Sequence, residues 1–328
     1  MHFLVVGCGS IGQRHIRNLI ALGYKVCGCE KDLLRAMQVK KIYGIETFTD
    51  LEEALTKEYN GVFICTPTNL HIPISIELAK RGLNLFIEKP FSNSLEKIDE
   101  LLTIVNKKRL VVLVGCNTRF LPSFKLTKRL IDENKIGKVL SVKAECGFYL
   151  PYWHPYEDYS KGYSANKDLG GGVIFDDIHE IDSLYWLFGE VKEVFCFADK
   201  VSTLDIDTED LAEIFLKFKS GIIAQIHLDY LQRTYRRYYK FIGEKGIVIW
   251  DFIKQNVELY SKRTNQWKVY QESININREI MFIDEVKHFI SCIKDKEHSI
   301  NDILLAKKVL EVALASHESA QKKEIVFL

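Results

Sequence analysis

Apolar positions in the first third of the chain fall into short blocks separated by amphipathic stretches. "HFLVVG", "YKVCGCE", "GVFICTP", "LNLFIEKP" and "LVVLVGCN" are apolar on both faces, which predicts buried strands. Helical spacing runs between them, from Ile11 to Leu22, from Lys31 onward, over 71–81 and from Leu95 to Asn106. Such alternation means a parallel sheet covered on both sides. Beyond residue 120 the period changes. "KVLSVKAECGFYL", "VKEVFCFADKV", "AEIFLKFKSGIIAQIHLDYL", "RRYYKFIGEKGIVIWDF" and "QNVELYSK" alternate apolar with polar, and several are joined by Gly-containing turns. Helices are expected over 122–134, 174–188, 279–294 and 302–319. The expected class is α/β. A parallel-sheet domain over 1–118 precedes an α/β domain over 119–328 with a large open, mainly antiparallel sheet.

Charge narrows the partners. Lys and Arg total 45 against 44 Asp and Glu, so no basic surplus favours a nucleic acid. No apolar run approaches the ~20 residues of a membrane helix. "MHFLVVGCG" enters a strand directly, without a basic leader, so the expected location is cytoplasmic. Eight cysteines at irregular spacing read as buried free thiols, and no metal site is expected.

Candidate chemistry starts at "VVGCGSIGQRH". Gly7, Gly9 and Gly12 have the spacing G-x-G-x-x-G between a strand and a helix, with Ser10 and Ile11 inside the turn. Gly7 allows a tight turn, Gly9 a close approach to a pyrophosphate, and Gly12 close packing of helix on strand. The first domain is therefore expected to be a dinucleotide-binding Rossmann domain. Glu30, ending the second strand, is placed to accept from ribose hydroxyls and to repel a 2′-phosphate, which favours NAD over NADP. "CTPTNLH" adds Thr66, Pro67, Asn69 and His71 at a later strand end, where a cofactor would be lined.

"LNLFIEKP" brings Glu88 and Lys89 to the crevice end, with Pro90 restricting the backbone. Lys89 is either a turn residue or a placed proton donor and acceptor. A second cluster, "DLGGGVIFDDIHEID", sets three glycines before a helix with Asp176, His179 and Asp182 at i, i+3 and i+6. A carboxylate and an imidazole on one helical face suit proton abstraction from a hydroxyl.

These segments, with "TPTNLH", "EKPFS" and "VGCNTRFLPSF", resemble the Gfo/Idh/MocA family, named after glucose–fructose oxidoreductase and inositol dehydrogenase. The resemblance spans nearly the whole chain. It implies an NAD-dependent oxidoreductase acting on a sugar, with Lys89 beside the nicotinamide, and His179 and Asp176 on the reacting hydroxyl. It also implies that Asn117 and Arg119 lie near the active site. Many members have D-x-x-x-H where this chain has D-x-x-H, so Asp177 competes with Asp176 as the active carboxylate. The stretch from Tyr152 to Lys167, with Trp153 and Tyr163, is expected to form a loop over the sugar, and Arg236 to hold a substrate carboxylate or phosphate. Relatives with such a segment point to a nucleotide sugar or sugar derivative. The family also contains glycoside hydrolases that oxidise transiently, and dinucleotide-sensing regulators. The open sheet is expected to bury one face in a homodimer or homotetramer.

Overall fold

A computed structural model describes residues 1–153, 158–271 and 279–328. The chain opens with β1 (His2–Val6), α1 (Ser10–Ala21), β2 (Lys25–Cys29), α2 (Leu33–Tyr43), β3 (Glu46–Phe48), α3 (Leu51–Ala54) and β4 (Gly61–Ile64). There follow α4 (His71–Lys80), β5 (Asn84–Glu88), α5 (Ile98–Lys108), β6 (Val112–Gly115), α6 (Pro122–Asp132), β7 (Val139–Gly147), α7 (Leu150–Trp153), α8 (Val173–Asp176) and α9 (His179–Phe188). The remainder holds β8 (Val191–Asp199), β9 (Leu211–Phe218), β10 (Ile223–Asp229), β11 (Arg236–Gly243), β12 (Gly246–Asp251), β13 (Asn256–Ser261) and β14 (Gln266–Gln271). It ends with α10 (Glu279–Asp295), α11 (Ile303–Lys322) and β15 (Val326–Phe327).

Two compact units result. The first holds residues 1–117 and 282–307, the second 118–281 and 308–328. The sequence put 119–328 in one second domain, whereas most of α10 and the start of α11 belong to the first unit. The reason is packing. Phe63 and Phe86 stack 4.6 Å apart, and Phe289 of α10 meets both edge-on at 5.5 and 5.7 Å. Asn301 completes the tie, its carbonyl accepting from Val114 N and its side chain donating to Val114 O.

The first unit's sheet runs β3-β2-β1-β4-β5-β6, all parallel. Strand order reverses direction between β1 and β4, and the crevice beyond their carboxyl ends is where such sheets bind ligands. The second unit's sheet runs β14-β13-β12-β11-β7-β10-β9-β8-β15, antiparallel except where β7 meets β10. Alternation along β11 sends Arg237, Tyr239 and Phe241 to the buried side, where Phe124 of α6 packs against Tyr239 and Trp250. The opposite face carries exposed Phe197, Phe215, Ile223, Trp267 and Val269 among charged residues. All eight cysteines are buried free thiols.

Candidate active site

The glycine turn joins β1 to α1. Gly7 sits at φ 86°, and its N–H donates to Cys29 O at 2.8 Å. A Cβ there would lie 2.6 Å from the Cys65 carbonyl oxygen, and one at Gly12 would collide with the Gly7 carbonyl. A Cβ at Gly9 would meet open space, so the outer side of the turn has room for a ligand. No side chain caps the start of α1, which leaves main-chain N–H groups for an anion. Buried Glu30 is held at the end of β2, where Oε2 accepts from Cys8 N at 2.9 Å and Oε1 from Asp32 N at 3.0 Å. These residues fit a dinucleotide diphosphate and its ribose.

Thr66 ends β4's approach to the same crevice, and its buried Oγ1 has no partner among the described residues. Pro67 and Asn69 are exposed beside it. His71 departs from expectation. It is buried, with Nδ1 2.9 Å from Pro90 O and Nε2 2.9 Å from Thr66 O, so both ring nitrogens are used by main-chain carbonyls. It clamps two loops together and keeps no nitrogen for a cofactor. Burial lowers its proton affinity, so one of these contacts lacks a proton in the neutral ring.

Glu88 ends β5. Its Oε1 lies 2.6 Å from Nε2 of His15, and Oε2 accepts from Lys89 N at 3.2 Å. The carboxylate is buried and directed inward. His15 carried no signal in the sequence beyond its place three residues after Gly12. Lys89, half-buried, follows directly, and the Lys89–Pro90 peptide is cis. Asn117, half-buried, opens a short helical turn just beyond β6.

In the second unit, the helix expected over 174–188 is broken at Asp177 and Ile178. Asp176 ends one short helix and His179 begins another, so no single helical face carries both. Hydroxyls converge on Asp176. Tyr163 donates to Oδ1, while Ser164 and Tyr230 donate to Oδ2 at 2.7 and 3.2 Å. Asp177 turns instead toward Cys146, whose Sγ donates to Oδ1 at 3.4 Å. His179 is buried at the start of α9. Exposed Trp153 packs on Phe148, with centroids 4.5 Å apart, and residues 154–157 of the expected substrate loop lie outside the described residues.

Two candidate arginines are paired within the second unit. Arg119 is buried in a bidentate pair with Asp182, at 2.8 and 2.6 Å, which makes it part of the core. Arg236 pairs with Asp251 at 2.7 Å on the uncovered sheet face, whereas its neighbour Arg237 reaches Glu180 of α9 on the other. Alternation along β11 therefore puts Arg236 across the sheet from the helix that starts at His179. Cys146, Asp177 and Glu180 bring metal-ligand atoms within 4.8 Å of one another. Arg237 engages both Glu180 oxygens, at 2.6 and 3.0 Å, so the geometry supports an ion-pair network.

Glu209 supports the glycine run from beneath. Its Oε1 accepts from Ile174 N at 3.1 Å, and a Cβ at Gly172 would strike its carboxyl group. Burial pushes this carboxyl up to about 7 and lowers nearby His317 to about 4. The two stand 3.9 Å apart, and between these two values both are mostly uncharged. Folded protein holds a proton on Glu209 between about pH 4.5 and 7 that the unfolded chain has released, so this group's contribution to stability declines as pH rises through that window. Glu209→Gln should therefore stabilise the protein by about 1–3 kcal/mol near pH 8 and change little near pH 4, as urea unfolding at both values would show.

Family models match both parts of the chain: the oxidoreductase family with an NAD-binding Rossmann fold over residues 1–116, and the GFO/IDH/MocA C-terminal domain over 124–249. Myo-inositol 2-dehydrogenase of Thermotoga maritima is 27% identical across 100% of this chain and 98% of its own length. UDP-N-acetylglucosamine 3-dehydrogenase of Acidithiobacillus ferrooxidans is 22% identical across 94% of each. Among solved structures, the WlbA dehydrogenase of Bordetella pertussis, in complex with NADH and UDP-GlcNAcA, superposes with a TM-score of 0.84 at 20% identity over 100% of this chain and 98% of that one. The glycine turn, the order of the parallel sheet and the match of both family models lead to one conclusion: this chain belongs to the GFO/IDH/MocA family of NAD-dependent oxidoreductases, a family of sugar and polyol dehydrogenases.

Proposed function

We propose that the chain oxidises or reduces one carbon of a nucleotide sugar, or of a related sugar derivative such as a sugar acid. The observation that carries this is the Asp176 cluster, where a buried carboxylate with three hydroxyl partners lies just before His179, a layout suited to gripping a polyhydroxylated ligand. Relatives support the finer substrate class: one is named for UDP-N-acetylglucosamine, and another was crystallised with UDP-GlcNAcA.

NAD, when bound, accepts or supplies the hydride. Gly7, Gly9 and Gly12, with Ser10 and Ile11, would hold its diphosphate, Glu30 its ribose, and Thr66, Pro67 and Asn69 its nicotinamide side. His179 or Lys89 takes the hydroxyl proton in the oxidative direction and returns it in the reverse. Lys89 and Asn117 stabilise the developing oxyanion. Asp176 holds the sugar, with Tyr163 and Trp153 lining it. The second unit's uncovered face, with Phe197, Phe215 and Trp267, supports burial against a second copy in a dimer or tetramer.

The test is NADH absorbance during a scan of nucleotide sugars, free sugars and polyols, with Lys89→Ala alongside. The expected result is NADH formation with a nucleotide sugar and a loss of roughly 100-fold or more in Lys89→Ala. Full turnover in that variant removes Lys89 from the mechanism. Sugar release from a glycoside without NADH would instead establish a hydrolase.

A further inference from the structure

His15 is wholly enclosed in the first unit, yet it is not filled in as core. Its ring packs against Phe63 and Phe86, at centroid distances of 5.1 and 4.8 Å, and Nδ1 has no partner there. Nε2 reaches Glu88 Oε1 at 2.6 Å, which selects the tautomer with the proton on Nε2. The other Glu88 oxygen accepts from the main-chain N–H of Lys89. Three further features frame this carboxylate. Gly115 of β6 leaves it room, since a Cβ there would come within 3.4 Å of Oε1. Glu88 stands at the carboxyl end of β5, the end of the parallel sheet at which ligands bind. And a polar pair buried here costs desolvation that an apolar pair of similar size would avoid, so stability alone gives no reason for it.

We infer that His15 and Glu88 form a positioning pair that ties the helix starting at the dinucleotide turn to the backbone of Lys89. The relay runs from the glycine turn through the third residue after Gly12 to the carboxylate, and from there to the Lys89 N–H. It rests on the proposed role of Lys89, because its use is to hold that ammonium's root at a fixed place relative to the turn. Misplacement of a reacting group by about 1 Å is enough to cost roughly 100-fold in rate.

The test uses the full chain and three variants: His15→Leu, His15→Gln and Glu88→Gln. Glutamine at position 15 places an amide N–H where the imidazole Nε2–H stood, and glutamine at 88 keeps its one acceptor oxygen for Lys89 N while its amide N–H donates to Nε2 of the other His15 tautomer. Nitrogen-15 NMR without cofactor should find the His15 proton on Nε2; a proton on Nδ1 overturns the inference. Amide hydrogen exchange supplies a readout that needs no substrate. In His15→Leu, Lys89 N–H should lose about tenfold or more of its protection while Ile87 and Val114 keep theirs, and His15→Gln and Glu88→Gln should restore most of it. Equal loss at all three amides, or none at Lys89, would mean a merely structural histidine.

With the substrate found by the scan, His15→Leu should lose roughly 10- to 100-fold in kcat. Its KM and NADH affinity should stay within about threefold, and His15→Gln should recover most of the rate. If Lys89→Ala is inactive but His15→Leu turns over normally, the positioning role fails and the proposed function stands. If Lys89→Ala itself turns over normally, the proposed function fails first and takes the relay with it.

Discussion

Arg119→Met should lower the free energy of unfolding by about 3–5 kcal/mol, a larger effect on stability than Glu209→Gln should have at any pH. The guanidinium is 0% exposed and its partner Asp182 1%, and two parallel N–H···O bonds of 2.8 and 2.6 Å join them. Removing the cation leaves a carboxylate enclosed without its counter-charge, and that penalty far exceeds the packing that methionine keeps. The double variant Arg119→Met/Asp182→Leu should regain most of the loss, because an apolar pair of similar volume escapes the desolvation cost altogether. Urea unfolding of both single variants and the double gives the coupling directly. A single-variant cost below about 1 kcal/mol would show that the pair is dispensable and would reopen Arg119 as a substrate residue.

Gly12→Ala should weaken NADH binding by roughly 100-fold or more, about 2.7 kcal/mol. The added methyl would overlap the Gly7 carbonyl oxygen and press on the Gly7 carbonyl carbon at 3.0 Å, and both atoms belong to the turn that would hold the diphosphate. Relief requires α1 to lift off β1, which moves the free N–H groups away from the anion. Gly9→Ala is the informative contrast. Its methyl meets nothing in the protein, so melting temperature should be unchanged while affinity still drops, because the methyl occupies the ligand's approach. Fluorescence titration with NADH and a thermal melt separate the two. If Gly9→Ala binds like the parent, the diphosphate does not pass over that side of the turn.

The dinucleotide unit was legible because its chemistry is local. Three glycines and an acidic strand end fall within thirty residues, and each does its work through the backbone it occupies. The short third strand, Glu46–Phe48, was missed, since three residues are too few to show a period. The break at Asp177 and Ile178 was hidden by helical spacing that continues through "VIFDDIHEIDSLYWLF"; what interrupts the helix is a tertiary arrangement, with Asp176 taken by hydroxyls and Asp177 by Cys146. Pairings across long separations were out of reach altogether. His15 with Glu88, Arg119 with Asp182 and Phe289 with Phe63 join residues 73, 63 and 226 positions apart, and no periodicity links such partners. Alternation in β11 did contain the answer for Arg236, because Arg237 is its immediate neighbour and only one of the two can point to a given side.

The return of residues 282–307 to the first unit bears on how the chain is made. A ribosome that has released 1–117 has exported every strand of the parallel sheet but not Phe289, which covers Phe63 and Phe86, nor Asn301, which closes the edge at Val114. That greasy surface stays bare while residues 118–281 are translated, so completion of the first unit must wait for α10 and the segment after it to emerge.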